Sequence, residues 1–453
     1  MSSLTLPTMS TTNAMTTPAR AHEPEPEQGA GAAPTHASAP AFQPGAELQA
    51  TTDTGAAMVA DAERYAEQFA AGALERDRDG TFAIEHLAAL RDGRFLVAPI
   101  PIEFGGGGVT SSHDVLVAMS RLARGDAATT IGVNMHLAAM LNLVRQWQVA
   151  VVREQPARAS ATAAVLRGIA GADIVLAAAI SEPAGQDLSR PATTATRADD
   201  GWAVSGTKRF ATMSPAATAL SVAVSYLDQT GSERYGFAMV PLTAPGIEFH
   251  DDWDAVGMRA SASGSVSFHD VRVGADAIRD GFATGSYSVS MFDRYLASGA
   301  FHAAASLGIA ESAHARIIAT LARRAEHVAA DTHAAMRLSE NVIDLATMRA
   351  VFGRSAAMID EYHAVFPAGG APYAAAQAVF AEVQAAKAHL NEAASRVTDR
   401  ALALSGGAGY MNGHPLSKAW RDARAGAFMH PLGANRAHDF LARTALGLEP
   451  RPG

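Results

Sequence analysis

The chain has 453 residues, enough for two or three packed units around a sizeable core. Hydrophobic residues make up 48% and charged residues 18%, an ordinary globular balance, and no apolar run approaches the roughly 20 residues of a membrane span. A formal net charge of -9 speaks against a nucleic-acid surface, which needs a basic stripe, and the lack of cysteine excludes disulfides, thiolate chemistry and cysteine-ligated zinc.

Residues 1–54 read as a disordered extension. Their first 50 positions hold seven of the 21 prolines and almost no apolar period. They show neither the basic start and apolar stretch of a secretory signal nor an Arg-rich transit pattern, so the cytoplasm is the expected location. Over 55–173 the pattern is helical, with segments at 58–76, 82–91, 113–124 and 127–148. Pro99, Pro101 and the four glycines Gly105 to Gly108 demand a loop between them.

Between 174 and 285 the period changes to two. Strands are expected at 174–180, 219–226, 235–242 and 264–273, the last alternating Val266 and Phe268 with Ser265, Ser267 and His269. Asp200-Gly201 marks a tight hairpin, and the unit reads as a small antiparallel β domain. From 286 to 448 the helical period returns. One face carries Leu307, Ala310, His314, Ile317 and Leu321; another carries Val383, Ala386, Leu390, Ala393, Val397, Ala401 and Leu404. Long helices with alanine on their packing faces imply a bundle.

Several separated motifs fall in one order: Ser181-Glu182-Pro183, then Gly206-Thr207-Lys208-Arg209-Phe210-Ala211-Thr212, Gly257-Met258-Arg259, Phe268-His269-Asp270-Val271, Gly406-Gly407-Ala408-Gly409-Tyr410 and Arg421-Asp422-Ala423-Arg424. In that order and spacing they resemble the acyl-CoA dehydrogenase family over about 55–448. The resemblance implies an α+β fold with an N-terminal helical domain (55–173), a middle antiparallel β domain (174–285) and a C-terminal four-helix bundle (286–448). It also implies a flavoprotein using FAD, assembled as a homotetramer or dimer. By resemblance, Ser181 bonds the pyrimidine side of the flavin, Phe210 covers the ring, Thr212 sits near N5, and Gly406 and Gly407 meet the cofactor of a neighbouring subunit. On their own residue types these are equally a strand-end hydroxyl, a core aromatic, a turn threonine and a helix C-cap.

Flavin-dependent dehydrogenation of an acyl thioester needs a carboxylate that removes the α-proton across from the ring. Most family members place a Glu about nine residues after Arg-Asp-Ala; here His430 aligns with it. Some members carry the base on the first long helix of the bundle, before an arginine, and Asp293-Arg294 occupies that place. Asp293 is therefore the expected base, with an electron-transfer partner taking the electrons. The bland reading pairs Asp293 with Arg294 or a helix-end amide.

His430 supports a second reading. Relatives with this fold act as monooxygenases or N-hydroxylases, take reduced FMN or FAD as co-substrate from a flavin reductase, and use a histidine near this segment to handle protons at neutral pH. A third is an inactive member kept for association. Two departures stand out: an R-x-x-F-G segment is missing after Arg323, which weakens the case for tight adenine-dinucleotide binding, and Glu182-Pro183-Ala184-Gly185-Gln186-Asp187 is one residue short of the family pattern, which leaves the carrier open between coenzyme A and a carrier protein. His327, Asp331 and His333 lie on a charged helix and read as a solvated face, so no metal is expected.

Overall fold

The computed structural model describes residues 47–171, 174–183, 187–278 and 281–452. Most of the expected disordered extension, 1–46, lies outside the described residues, but 47–54 do not fit that expectation. Thr51 and Thr52 donate through backbone and hydroxyl to Asp114, at 2.6 to 3.0 Å, and Glu47 pairs with Arg124 at 2.9 Å. Thr52 also caps α1 (Asp53–Ala70), accepting from Gly55 N. Polar residues tied down by side chains leave no trace in an apolar period.

The helix expected over 58–76 is two helices, α1 and α2 (Ala73–Asp79), because Gly72 takes the left-handed conformation at φ 79°. Next come α3 (Ile84–Asp92), the glycine loop, α4 (Ser112–Leu122), α5 (Ala127–Val152) and α6 (Pro156–Gly171). The loop is tight: a Cβ on Gly106 would meet the Ile100 carbonyl at 2.0 Å. Contrary to the hydropathy reading, α5 is long and apolar enough to cross a membrane, yet 72% of its apolar window is buried in the protein's own core. Within α5, buried His136 accepts from Leu176 N at Nδ1, which makes Nε2 the donor to the Leu96 carbonyl at 3.1 Å. That neutral imidazole ties α5 to the first strand.

The strands are β1 (Leu176–Ala179), β2 (Thr194–Ala198), β3 (Gly201–Lys208), β4 (Ala219–Leu227), β5 (Glu233–Pro241), β6 (Ile247–Phe249), β7 (Val266–Gly274) and β8 (Phe282–Ala283). They form one sheet in the order β6-β7-β3-β2-β4-β5-β8, with β1 beside β4. β2 and β3 make the expected hairpin, pairing Ala198 with Gly201. Most pairings are antiparallel; β1 and β2 each run parallel to β4, an arrangement that alternation within single strands does not reveal.

The C-terminal region packs α7 (Val289–Leu321), α8 (Ala325–Ala330), α9 (Thr332–Val365), α10 (Tyr373–Ser405), α11 (Pro415–Ala425) and α12 (Ala434–Ala445). α7, α9, α10 and α11 make the bundle, and α12 lies against α10. The expected faces are inside: Leu307, Ala310, Ile317, Val383, Leu390 and Val397 are all buried. Each large aliphatic side chain so removed from water contributes roughly 1.5–3 kcal/mol. α7 also reaches the N-terminal helices, where Gly308 lies against the Ser120 carbonyl of α4.

Candidate active site

A cleft of about 560 Å³ opens where the sheet, α5, α7 and the turn after α11 meet. Its sheet side is built by strand ends that hold one another. Arg209 N donates to the Ser181 carbonyl at 2.8 Å, Ala211 N to the Gly264 carbonyl and Met213 N to the Ser261 carbonyl. Glu182 fixes the same corner, accepting from buried Lys208 Nζ at 2.7 Å and from Thr193 N and Oγ1 at 2.8 Å. The Lys208 ammonium and these hydrogen bonds hold the Glu182 carboxyl below its ordinary range against the opposing effect of burial. Glu182 and Lys208 are thus a structural ion pair next to Ser181.

The cleft gathers five of the expected site residues: Ser181, Phe210, Thr212, Arg294 and His430. Thr212 Oγ1 shares a hydrogen bond with Ser263 Oγ at 2.9 Å, which meets Ser261 Oγ at 2.6 Å. Phe210 is a non-glycine residue at φ 57°, a conformation that costs about 1–3 kcal/mol and clusters at functional sites. It stands 53% exposed at the rim, edge-on to Trp253 with ring centroids 6.2 Å apart.

Three expected residues lie elsewhere. Asp293 was expected across from a flavin ring, but its carboxylate turns toward α9, where Tyr362 Oη donates to it at 2.6 Å beside a minor cavity shared with Arg145 and His363. Burial raises its pKa, with Tyr362 and Arg145 opposing. Successive helix residues point about 100° apart, so when Arg294 faces the cleft its neighbour does not. Gly406 and Gly407 form the exposed turn after α10, where an added Cβ would meet nothing within 4 Å; they line no part of the cleft. Asp331 of the histidine-rich segment caps α9, accepting from His333 N at 2.9 Å.

His430 sits deep in the cleft with both ring nitrogens buried and unpartnered, edge-on to Tyr295 at 4.5 Å between centroids. Burial, then the nearby Lys387 and His302, hold its pKa well below the usual imidazole value. His302, whose Nδ1 is likewise unpartnered, is pushed down to about 3 by burial. Lys387 reaches the same region from α10, donating to the carbonyls of Met429, His430 and Leu432, and burial lowers it to about 7. The Tyr295 hydroxyl bonds that of Tyr235, and burial raises it to about 12. Among the described residues no carboxylate lines the cleft.

Sequence reasoning missed His302, Tyr295, Lys387, Asn142 and Trp253. A signal existed for one of them: Arg294, Ser298 and His302 recur every fourth residue along α7, which puts three polar side chains on one stripe.

The chain matches the acyl-CoA dehydrogenase N-terminal domain over residues 52–177, the middle domain over 177–271 and the C-terminal domain over 296–435. The chain belongs to the acyl-CoA dehydrogenase family of flavin-dependent oxidoreductases. It is similar to an L-evernosamine nitrososynthase of Micromonospora sp., 31% identical over 384 residues, covering 84% of this chain and 88% of that protein. An amino sugar nitrososynthase of Streptomyces rubradiris is 32% identical over 417 residues, or 90% and 94% of the two chains. Among solved structures, KijD3 in complex with FMN and dTDP-3-amino-2,3,6-trideoxy-4-keto-3-methyl-D-glucose is similar with a TM-score of 0.78 at 27% identity, covering 90% of this chain and 97% of that one.

Proposed function

We propose that this protein is a flavin-dependent monooxygenase that oxidises the nitrogen of a small amine, with a nucleotide-linked amino sugar as the substrate class. The observation that carries the reading is the cleft's acid–base content: His430 stands in it with both nitrogens free, while Asp293 is engaged by Tyr362 outside it. Against thioester dehydrogenation, no carboxylate among the described residues lines the cleft to take the α-proton. Oxidation at nitrogen has a different need, a lone pair on an unprotonated amine. With no carboxylate among the described residues that line it, the cleft offers an ammonium no counter-charge, and Arg294 opposes its charge, so the neutral amine is the form that binds.

The chemistry of the walls suits a flavin: apolar and aromatic cover from Phe210, Trp253 and Met258, with hydroxyls of Ser181, Thr212 and Ser263 at the sheet side. Those residues would hold the ring. Reduced flavin, FMN or FAD delivered by a reductase, supplies the electron pair that lets dioxygen give one atom to the substrate and one to water. Neutral His430 accepts the proton that nitrogen loses as its bond to oxygen forms, and the Tyr295 ring packs edge-on against the imidazole. Gly406 and Gly407, exposed at the end of α10, suit contact with a neighbouring subunit in a homo-oligomer.

The test supplies FMN, a flavin reductase, NADH, dioxygen and a dTDP-amino sugar. The expected product carries one added oxygen atom on nitrogen, and His430→Ala lowers kcat by about 10²-fold or more with KM little changed. Bleaching of bound FAD by butyryl-CoA without oxygen, lost in Asp293→Asn, would overturn the proposal in favour of thioester dehydrogenation.

A further inference from the structure

Arg294 carries a charge that the protein itself does not answer. Other cations of the interior and its margins are matched: Lys208 by Glu182 at 2.7 Å, Lys418 by Asp422 at 2.6 Å and Asp126 at 3.4 Å, Arg124 by Glu311 at 2.7 Å. Lys387 has three carbonyls. Arg294 donates one side-chain hydrogen bond, from Nη2 to Ser221 Oγ at 3.3 Å, and lays its guanidinium over the Phe237 ring at 4.0 Å. Among the described residues it has no carboxylate within ion-pair distance, and the groups nearest to it electrostatically are the hydroxyls of Tyr295 and Tyr235.

Arg294 is half-buried, and drawing an ion even partly out of water without a counter-charge carries a cost that an anionic ligand in the cleft would offset. The direction of the side chain agrees. Arg294 is a wall of the cleft, whereas the adjacent Asp293 points away from it and leaves the guanidinium unneutralised from within. Asn142 fixes the backbone there, its Nδ2 donating to the carbonyls of Ala138 at 2.9 Å and Arg294 at 3.3 Å. Phe237 and Ser221 hold the planar fork on one side and leave its remaining N–H groups for a bidentate acceptor.

We propose that Arg294 forms an oxyanion subsite within the cleft, taking a carboxylate or phosphate oxygen pair that the substrate carries in addition to its reacting atom. Ala178 and Ile180, apolar neighbours on the same wall, fit a ligand whose anionic end joins a less polar body. The subsite rests on the proposed function only in assigning the anion to the substrate; the binding chemistry stands on the cleft alone.

Isothermal titration of the FMN-saturated protein with benzoate, its neutral isostere benzamide and phenyl phosphate tests this. Benzoate should bind at least about ten-fold more tightly than benzamide. Arg294→Met should erase that preference, Arg294→Lys should keep part of it, and Arg424→Met at the rim should leave it intact. Tighter binding of phenyl phosphate than of benzoate identifies a phosphate ligand, and the reverse order a carboxylate. Equal affinities of benzoate and benzamide in the unaltered protein overturn the proposal, whether or not the variants fold. So does a preference that survives Arg294→Met, or an equal loss of FMN affinity in that variant, which would make Arg294 a flavin ligand. Failure of the oxygenation reading shows separately, as absence of oxidised amine, and leaves the binding ratio untouched.

Discussion

The histidines of the cleft are neutral because the fold denies them water, and that has a measurable cost in acid. Unfolded, an imidazole takes up its proton near pH 6.5; folded, burial delays His302 to about 3 and His430 to well below its usual value. Between those limits the unfolded state binds more protons, so stability is fully present above pH 6.5 and is lost as pH falls through that window. Each such histidine steepens the loss by about 1.4 kcal/mol per pH unit. Thermal unfolding of His302→Asn should therefore show a shallower fall in Tm than the unaltered protein between about pH 6 and 4. An identical slope would mean that His302 is already protonated in the folded state. At this scale the sequence shows which reactive residue types are present but not which of them share a room. His430 stands out by occupying the usual glutamate position, whereas Lys387 hides within the apolar face of α10 and reaches the site only because α10 crosses α7 there.

Helix crossings account for the next level. A Cβ on Gly308 would lie 2.2 Å from the Ser120 carbonyl, and backbone cannot step aside as a long side chain can. Gly308→Ala should cost about 1–3 kcal/mol in urea unfolding by forcing α7 away from α4. Three residues on, buried Glu311 accepts from Arg124 at 2.7 Å and from Arg349 at 2.7 Å, joining α7 to α4 and α9. Glu311→Ala leaves both guanidinium groups without it and should cost about 3–5 kcal/mol, a larger loss than Gly308→Ala. Long periodic helices of this kind are legible in a sequence because one apolar face recurs over many turns. Short elements are not: β6 spans three residues, and the break between α1 and α2 depends on the left-handed φ of one glycine.

The cleft draws on residues more than 290 positions apart, from Ile131 to His430, so its shape depends on how the three regions lock together. One lock is Asp422 on α11. Its Oδ1 accepts from Met258 N at 2.6 Å and its Oδ2 from Lys418 Nζ at 2.6 Å, while Lys418 also meets Asp126 at the start of α5. Asp422→Ala leaves Lys418 with Asp126 alone and frees the backbone N–H of Met258, a residue that lines the cleft. The expected outcome is a stability loss of about 3–5 kcal/mol together with weaker FMN binding in a fluorescence titration; destabilisation with unaltered FMN affinity would detach this lock from the site. By itself the sequence determined the family, the order of helical and β regions and the residue types at the strand ends that line the cleft, because these rest on local period and motif order. Tertiary structure alone decided that Arg294 rather than Asp293 faces the cleft. Neighbours on a helix differ by about 100° in direction, and the rotation of α7 is set by its packing against α4, α5 and α10, which no local pattern encodes.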